Sequence, residues 1–179
     1  MKALLIIDMQ NTSFTAATPR FDADAVIQRI NKLSHKFRIN GDKVIFIQHD
    51  GTREDFCKPD TFEWEILSSL ERVPEDVVVS KKANDSFYRT VLLDELIKSG
   101  INDIVITGCA TDFCVDSTIK SALVRDFNIV VIKGGHTTAD RPNLKAELVI
   151  QHYNWLWSQL TPTLGRINVL DFEDYFRNE

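Results

Sequence analysis

The sequence predicts an α/β fold: a single-domain, three-layer α/β/α architecture on a six-stranded, mainly parallel sheet. Apolar strand-like runs alternate with helical patterns along the whole 179-residue chain. Two runs, Leu4-Leu5-Ile6-Ile7 and Ile129-Val130-Val131-Ile132, are apolar at every position, as strands buried on both faces are. No repeat, low-complexity tract or long linker divides residues 1–179, a length that suits one domain with a proper core.

The elements follow in order. A first strand is predicted over Ala3–Asp8, then a helix from Asp22 to Asn40 that Gly41 closes. Lys43–Gln48 reads as the second strand and Thr61 to Leu70 as the second helix. Val77–Ser80 is a strand candidate, followed by a helix from Thr90 to Ser99 that Gly100 closes. Asp103–Thr107 reads as a strand running into a helix over Asp112 to Asp126. Asn128–Lys133 is the fifth strand, Asp140 to Leu160 the last long helix, with Pro142 near its first turn, and Arg166–Leu170 the sixth strand. Asp22, Thr90 and Asp140 stand where N-caps belong. Strands separated by helices imply parallel crossovers and a sheet covered on both faces.

Composition narrows the function. The net charge is −5 and no basic block appears, which argues against a nucleic-acid partner. No apolar run approaches the roughly 20 residues that span a bilayer, so no membrane partner is expected. The run Ala3 to Ile7 is too short for a signal peptide and stops at Asp8 without a small-residue cleavage site. Three cysteines, Cys57, Cys109 and Cys114, suggest neither a disulfide framework nor a zinc site and fit a reducing cytoplasm.

The segment Gly108-Cys109-Ala110-Thr111-Asp112-Phe113-Cys114-Val115 lies between a predicted strand and a predicted helix. It delivers Cys114 to a helix N-terminus, where the dipole and unpaired N–H groups favour a thiolate. Asp8 ends the first strand and Lys81 follows Val77-Val78-Val79, so three strand ends present an acid, an ammonium and a thiol to one region. Asp8 would accept the proton of Cys114, Lys81 would stabilise developing negative charge, and backbone N–H groups of Ala110 and Cys114 would cradle an oxyanion. Lys82 is as good a candidate as Lys81 on composition alone.

These residues carry a resemblance. Leu4-Leu5-Ile6-Ile7-Asp8-Met9-Gln10, the stretch Lys81 to Thr90, and Gly108 to Val115 followed by Asp116-Ser117-Thr118 resemble, in order, three motifs of the isochorismatase-like cysteine hydrolases, relatives of nicotinamidase and N-carbamoylsarcosine amidase. The resemblance spans nearly the whole chain and implies a Rossmann-like fold. It also implies Asp8 as general base, Lys81 rather than Lys82 as electrostatic partner, Cys114 as nucleophile and a cis peptide at Cys109–Ala110. It implies no cofactor and, in one respect, a departure. The nicotinamidase branch carries an Asp-x-His metal pattern, whereas Thr52 follows Asp50 here and no histidine lies between His49 and His136, so no metal is expected.

Phe14, His49, Trp64 and Phe87 are candidates for contact with a small substrate, with plain packing as the alternative for the aromatics. Cys109 reads as a packing residue, exposed Cys57 as unactivated, and Asp112 as the cap of the helix that presents Cys114. The aromatic helix bearing His152, Tyr153, Trp155 and Trp157 is the expected subunit contact of a homo-oligomer, dimer or tetramer. The leading expectation is hydrolysis of a small amide, carbamoyl or related C–N bond through a Cys114 thioester. An ester or vinyl-ether hydrolase and a low-activity binding or regulatory module on the same fold are the alternatives. A nucleotide or flavin site is disfavoured because Asp8-Met9-Gln10-Asn11-Thr12 lacks phosphate-loop glycines.

Overall fold

A computed structural model describes residues 1–178, the last by its backbone alone. The strands are β1 (Lys2–Ile7), β2 (Lys43–His49), β3 (Val77–Lys81), β4 (Asp103–Cys109), β5 (Asn128–Thr137) and β6 (Ile167–Asp171). They form one parallel sheet of order β3-β2-β1-β4-β5-β6. The helices are α1 (Ala23–Ile39), α2 (Leu92–Lys98), α3 (Asp116–Leu123), α4 (Ala146–Ser158) and α5 (Phe172–Asn178). Alternation along β1 divides the core. Ala3, Leu5 and Ile7 face Leu92 and Leu96 of α2, Ile119 of α3 and Trp157 of α4. Leu4 and Ile6 face Val26, Ile30 and Leu33 of α1 and Phe172 of α5. The predicted three-layer α/β/α domain is the one observed. After β3 the chain returns to the other side of β1, so the order reverses between β1 and β4. Ligands bind parallel α/β sheets at the carboxyl ends of such a pair.

Three predicted helices differ from the observed chain. Thr61 to Leu70 is a run of turns, because its carbonyls serve other partners. Glu65 and Glu63 accept from the N–H groups of Asn11 and Thr12. The Trp64 carbonyl accepts from the side chains of Gln10 and Gln48. The helix predicted from Asp140 begins at Ala146, after a turn in which Arg141 and Leu144 exchange backbone hydrogen bonds. Asp140 nevertheless caps it from a distance, its Oδ1 accepting from the Ala146 N–H at 2.9 Å. The helix predicted from Asp112 is preceded by a wide π-helical turn, Thr111–Val115, in which the Val115 N–H reaches back to the Ala110 carbonyl. Helix α5, unpredicted, closes the α1 face with Phe172 and Tyr175.

Candidate active site

Asp8 leaves β1 in the left-handed region (φ 48°), a conformation aspartate tolerates better than most residues. Its N–H donates to the Ile47 carbonyl at 2.9 Å, which ties the strand end to β2. Across the reversal point, Gly108 of β4 has φ 120°, and a Cβ there would lie 2.2 Å from the Ile7 carbonyl oxygen. Glycine is therefore what lets β4 lie this close to the end of β1. The next peptide, Cys109–Ala110, is cis. The wide turn follows, and π-helical turns are frequent at functional sites.

The structure brings Asp8, Lys81 and Cys114 together. The Lys81 ammonium, from the last residue of β3, donates to Asp8 Oδ2 at 2.7 Å, to the Ala83 carbonyl at 2.9 Å and to Cys114 Sγ at 3.2 Å. Lys81 is 1 % exposed and Asp8 7 %. Asp8 Oδ1 is buried and has no hydrogen-bond partner among the described residues. Lys82 instead reaches outward to Asp50, Nζ–Oδ2 3.2 Å, which separates the two lysines that composition could not. Asp50 also accepts from the backbone N–H and hydroxyl of Thr52, so it anchors its loop.

Electrostatics revise one expectation. Burial, then the Asp8 carboxylate, pushes the Cys114 thiol well above its ordinary value, and Lys81 offsets only part of this. That direction runs against the thiolate expected of a helix N-terminus, because the half-buried thiol sits beside a carboxylate. Burial would lower the Lys81 pKa, but the Asp8 carboxylate beside the ammonium raises it and the net direction is upward. His49 is lowered by burial and by Lys81, its Nδ1 lying 3.5 Å from Lys81 Nζ.

A cavity of about 220 Å³ opens over Asp8 and Cys114. Of the four predicted contact residues, His49 lines it, stacked on Phe56. The structure places the other three elsewhere. Phe87 is buried in the core against Phe127, because the Asp85 and Ser86 hydrogen bonds turn its segment inward. Phe14 packs against the α1-side core. Trp64 presents its carbonyl, and not its ring, to the polar groups beneath the cavity. The aromatic walls are Phe56 and Phe113, neither singled out in the sequence.

Two further polar clusters support the turn that carries Cys114. Asp112 does not simply cap a helix. It binds Arg141 in bidentate fashion, both contacts at 2.7 Å, and accepts from the Thr138 hydroxyl at 2.7 Å. The turn is thereby pinned to the segment after β5, and Arg141 lies over the Phe113 ring. Behind it, Thr111 Oγ1 meets His136 Nδ1 at 2.9 Å, and His136 Nε2 meets Asn154 Oδ1 at 3.0 Å. With the Nε2 proton donated to Asn154, Nδ1 accepts from Thr111. Burial drives the His136 pKa down to about 4. All three cysteines are free thiols. Cys57, expected to be exposed, is buried under Gln10, which donates to its sulfur at 3.3 Å, and burial pushes its thiol up to about 11. Cys109 is buried in the core as expected. Among the described residues, no helix is long and apolar enough to cross a membrane.

Comparison with known proteins completes the picture. The profile of the isochorismatase domain matches residues 2–156. A streptothricin hydrolase of Streptomyces noursei is 32% identical over 142 residues, covering 79% of this chain and 56% of that protein. The chain thus spans about half the length of the streptothricin hydrolases it matches. The ureidoacrylate amidohydrolase RutB of Methylorubrum extorquens is 26% identical over 179 residues, covering 79% of this chain and 72% of that protein. Among solved structures, a putative isochorismatase hydrolase from Oleispira antarctica superposes with a TM-score of 0.85 at 25% identity, covering 98% of this chain and 96% of that one.

Proposed function

This chain belongs to the isochorismatase family, and from that premise we propose that it is a cysteine-dependent hydrolase of a small amide, carbamoyl or related C–N bond. The observation that carries this reading is the Lys81 ammonium, in contact with both Asp8 Oδ2 and Cys114 Sγ while Asp8 Oδ1 is buried with no partner among the described residues. A thiol whose pKa is pushed up by burial and by Asp8 needs a base to take its proton as it attacks. Asp8 is that base. Sγ bonds to the substrate carbonyl carbon, and the oxyanion rests on the N–H groups of Ala110 and Cys114. The C–N bond then breaks, and the amine leaves with the proton held by Asp8. A thioester remains on Cys114. Asp8 next takes a proton from the water that attacks the thioester and returns it to Sγ as the acid departs. Lys81 stays protonated throughout and balances the charge that passes between Asp8 and Sγ.

Support for C–N chemistry comes from the retained thiol and from the relative named an amidohydrolase. Three free cysteines suit a reducing cytoplasm. The exposed Leu148 and Trp155 on α4 suit a homo-oligomer contact, which light scattering tests. The activity is tested with a panel of amides, ureido and carbamoyl compounds, reading ammonia or amine release together with intact mass. A substrate of this site should leave an acyl adduct on Cys114 under rapid quench, and Cys114→Ala should lower turnover by about a thousandfold or more. Turnover that persists unchanged in Cys114→Ala would sink the mechanism.

A further inference from the structure

The charges that line the cavity cancel in pairs, with one exception. Asp8 is matched by Lys81 and Asp112 by Arg141. Burial and Lys81 hold His49 toward its neutral form. Arg20 is left over. It lines the same cavity, and among the described residues no carboxylate pairs with it. Its Nε donates to the Ser13 carbonyl at 2.5 Å, which leaves the Nη edge of the guanidinium without a protein partner among those residues.

Arg20 is also held in place. Its neighbour Phe21 donates its N–H to the Thr138 carbonyl at 2.9 Å and accepts from the Thr137 hydroxyl at 2.6 Å. The backbone beside Arg20 is therefore tied to the end of β5 and its Nε to the segment after β1, on a chain whose overall charge is −5. A fixed cation in a small concave site of an acidic protein attracts anions locally, where the molecule as a whole does not. A guanidinium edge with two free donors matches a carboxylate, which accepts two parallel N–H bonds. The cavity, at about 220 Å³, is below the roughly 300–1,000 Å³ of pockets for drug-sized ligands.

The geometry points to Arg20 as the anchor of a carboxylate on the substrate. The substrate class is then a small acid that carries, within one cavity length, both the carboxylate and the amide or carbamoyl group that Cys114 attacks. This rests on the reading of Cys114 as nucleophile.

Two alkylating agents of nearly the same shape test the inference without knowledge of the substrate. Iodoacetate carries a carboxylate and iodoacetamide a neutral amide in its place; Sγ displaces iodide from either. The rate of each at Cys114, assigned by peptide mass spectrometry, is divided by its rate with free cysteine. The corrected iodoacetate-to-iodoacetamide ratio should be about ten or more, the preference that one charge-assisted contact gives. Iodoacetate should also saturate, and succinate should compete with it. In Arg20→Gln the ratio should collapse toward one, and in Arg20→Lys, which keeps the charge but not the two-donor fork, only part of it should survive. A corrected ratio near one in the unmodified protein, or a ratio that Arg20→Gln leaves unchanged, overturns the carboxylate anchor. Turnover of the amide and carbamoyl panel that persists unchanged in Cys114→Ala overturns the nucleophile assignment beneath it, so the two failures are distinguishable.

Discussion

In the proposed mechanism Cys114 is activated only when something takes its proton, and Asp8 is both the base that would take it and one cause of the thiol's raised pKa. Burial and the Asp8 carboxylate raise the thiol together. The substitution Asp8→Asn removes the charge while keeping the shape, so it should lower the Cys114 pKa and increase thiolate at a given pH. Turnover should nevertheless fall by about a hundredfold or more, the usual contribution of a positioned general base. The pH profile of iodoacetamide alkylation measures the first effect and kcat/KM the second. Turnover that rises along with the thiolate would mean that Asp8 is not the base. At this scale the sequence was informative where a polar residue follows an apolar run, as Asp8 and Lys81 do. It was uninformative for loop aromatics, because Phe87 in the core and Phe113 at the cavity have the same chemistry. Arg20 and Arg141 gave no signal either, since their meaning lies in which carboxylates they do and do not meet.

The strands were legible within a few residues, since continuous apolar runs have few other places to go. Three helices were not, and tertiary hydrogen bonding explains each. Gln10 shows how. Its Nε2 donates to the carbonyls of His49 and Trp64, at 3.0 and 2.7 Å, and its Oε1 accepts from the His49 N–H at 2.7 Å. One side chain thus joins the ends of β1 and β2 to the segment that propensity alone would wind into a helix. In Gln10→Ala the His49 N–H loses its acceptor in a half-buried place, and the loss of stability should be about 2–3 kcal/mol by urea denaturation. A loss under about 1 kcal/mol would mean that these loops hold one another without it. Gly108 is a stricter constraint. Gly108→Ala sets a methyl group against the Ile7 backbone at a positive φ, so it should cost about 3 kcal/mol or more and separate β1 from β4 where Asp8 and Cys114 meet. Retained activity in that variant would argue that the two strands are not held as closely as the structure has them.

For the molecule as a whole, the polar network behind the nucleophile turn makes stability depend on acid. His136 is 1 % exposed and its pKa falls to about 4 from 6.5. The unfolded chain therefore binds more protons between those values. The stabilisation is complete above pH 6.5 and is lost as the pH falls toward 4. It amounts to about 3 kcal/mol, because each tenfold weakening of proton binding is worth about 1.4 kcal/mol. His49, also lowered by burial and Lys81, acts in the same direction. The carboxylates enter later. Burial would raise Asp112, but Arg141 and Thr138 hold it below its ordinary value, so its stabilisation persists until the pH drops beneath the usual carboxylate range. Two acid-sensitive steps follow, a histidine step above pH 4 and a carboxylate step below it. Urea midpoints measured at intervals from about pH 7 to 4 should fall in the unmodified protein. They should fall less in His136→Gln, which keeps an acceptor for Thr111 and a donor for Asn154 but cannot titrate. Equal slopes in the two proteins would mean that His136 is protonated as readily folded as unfolded. Thr111 begins the turn that carries Cys114, so the same acid range should slow Cys114 alkylation in the folded protein beyond what the thiol's own titration explains. Loss of that excess in His136→Gln would tie the nucleophile's position to the buried histidine, through a network that no linear motif contains.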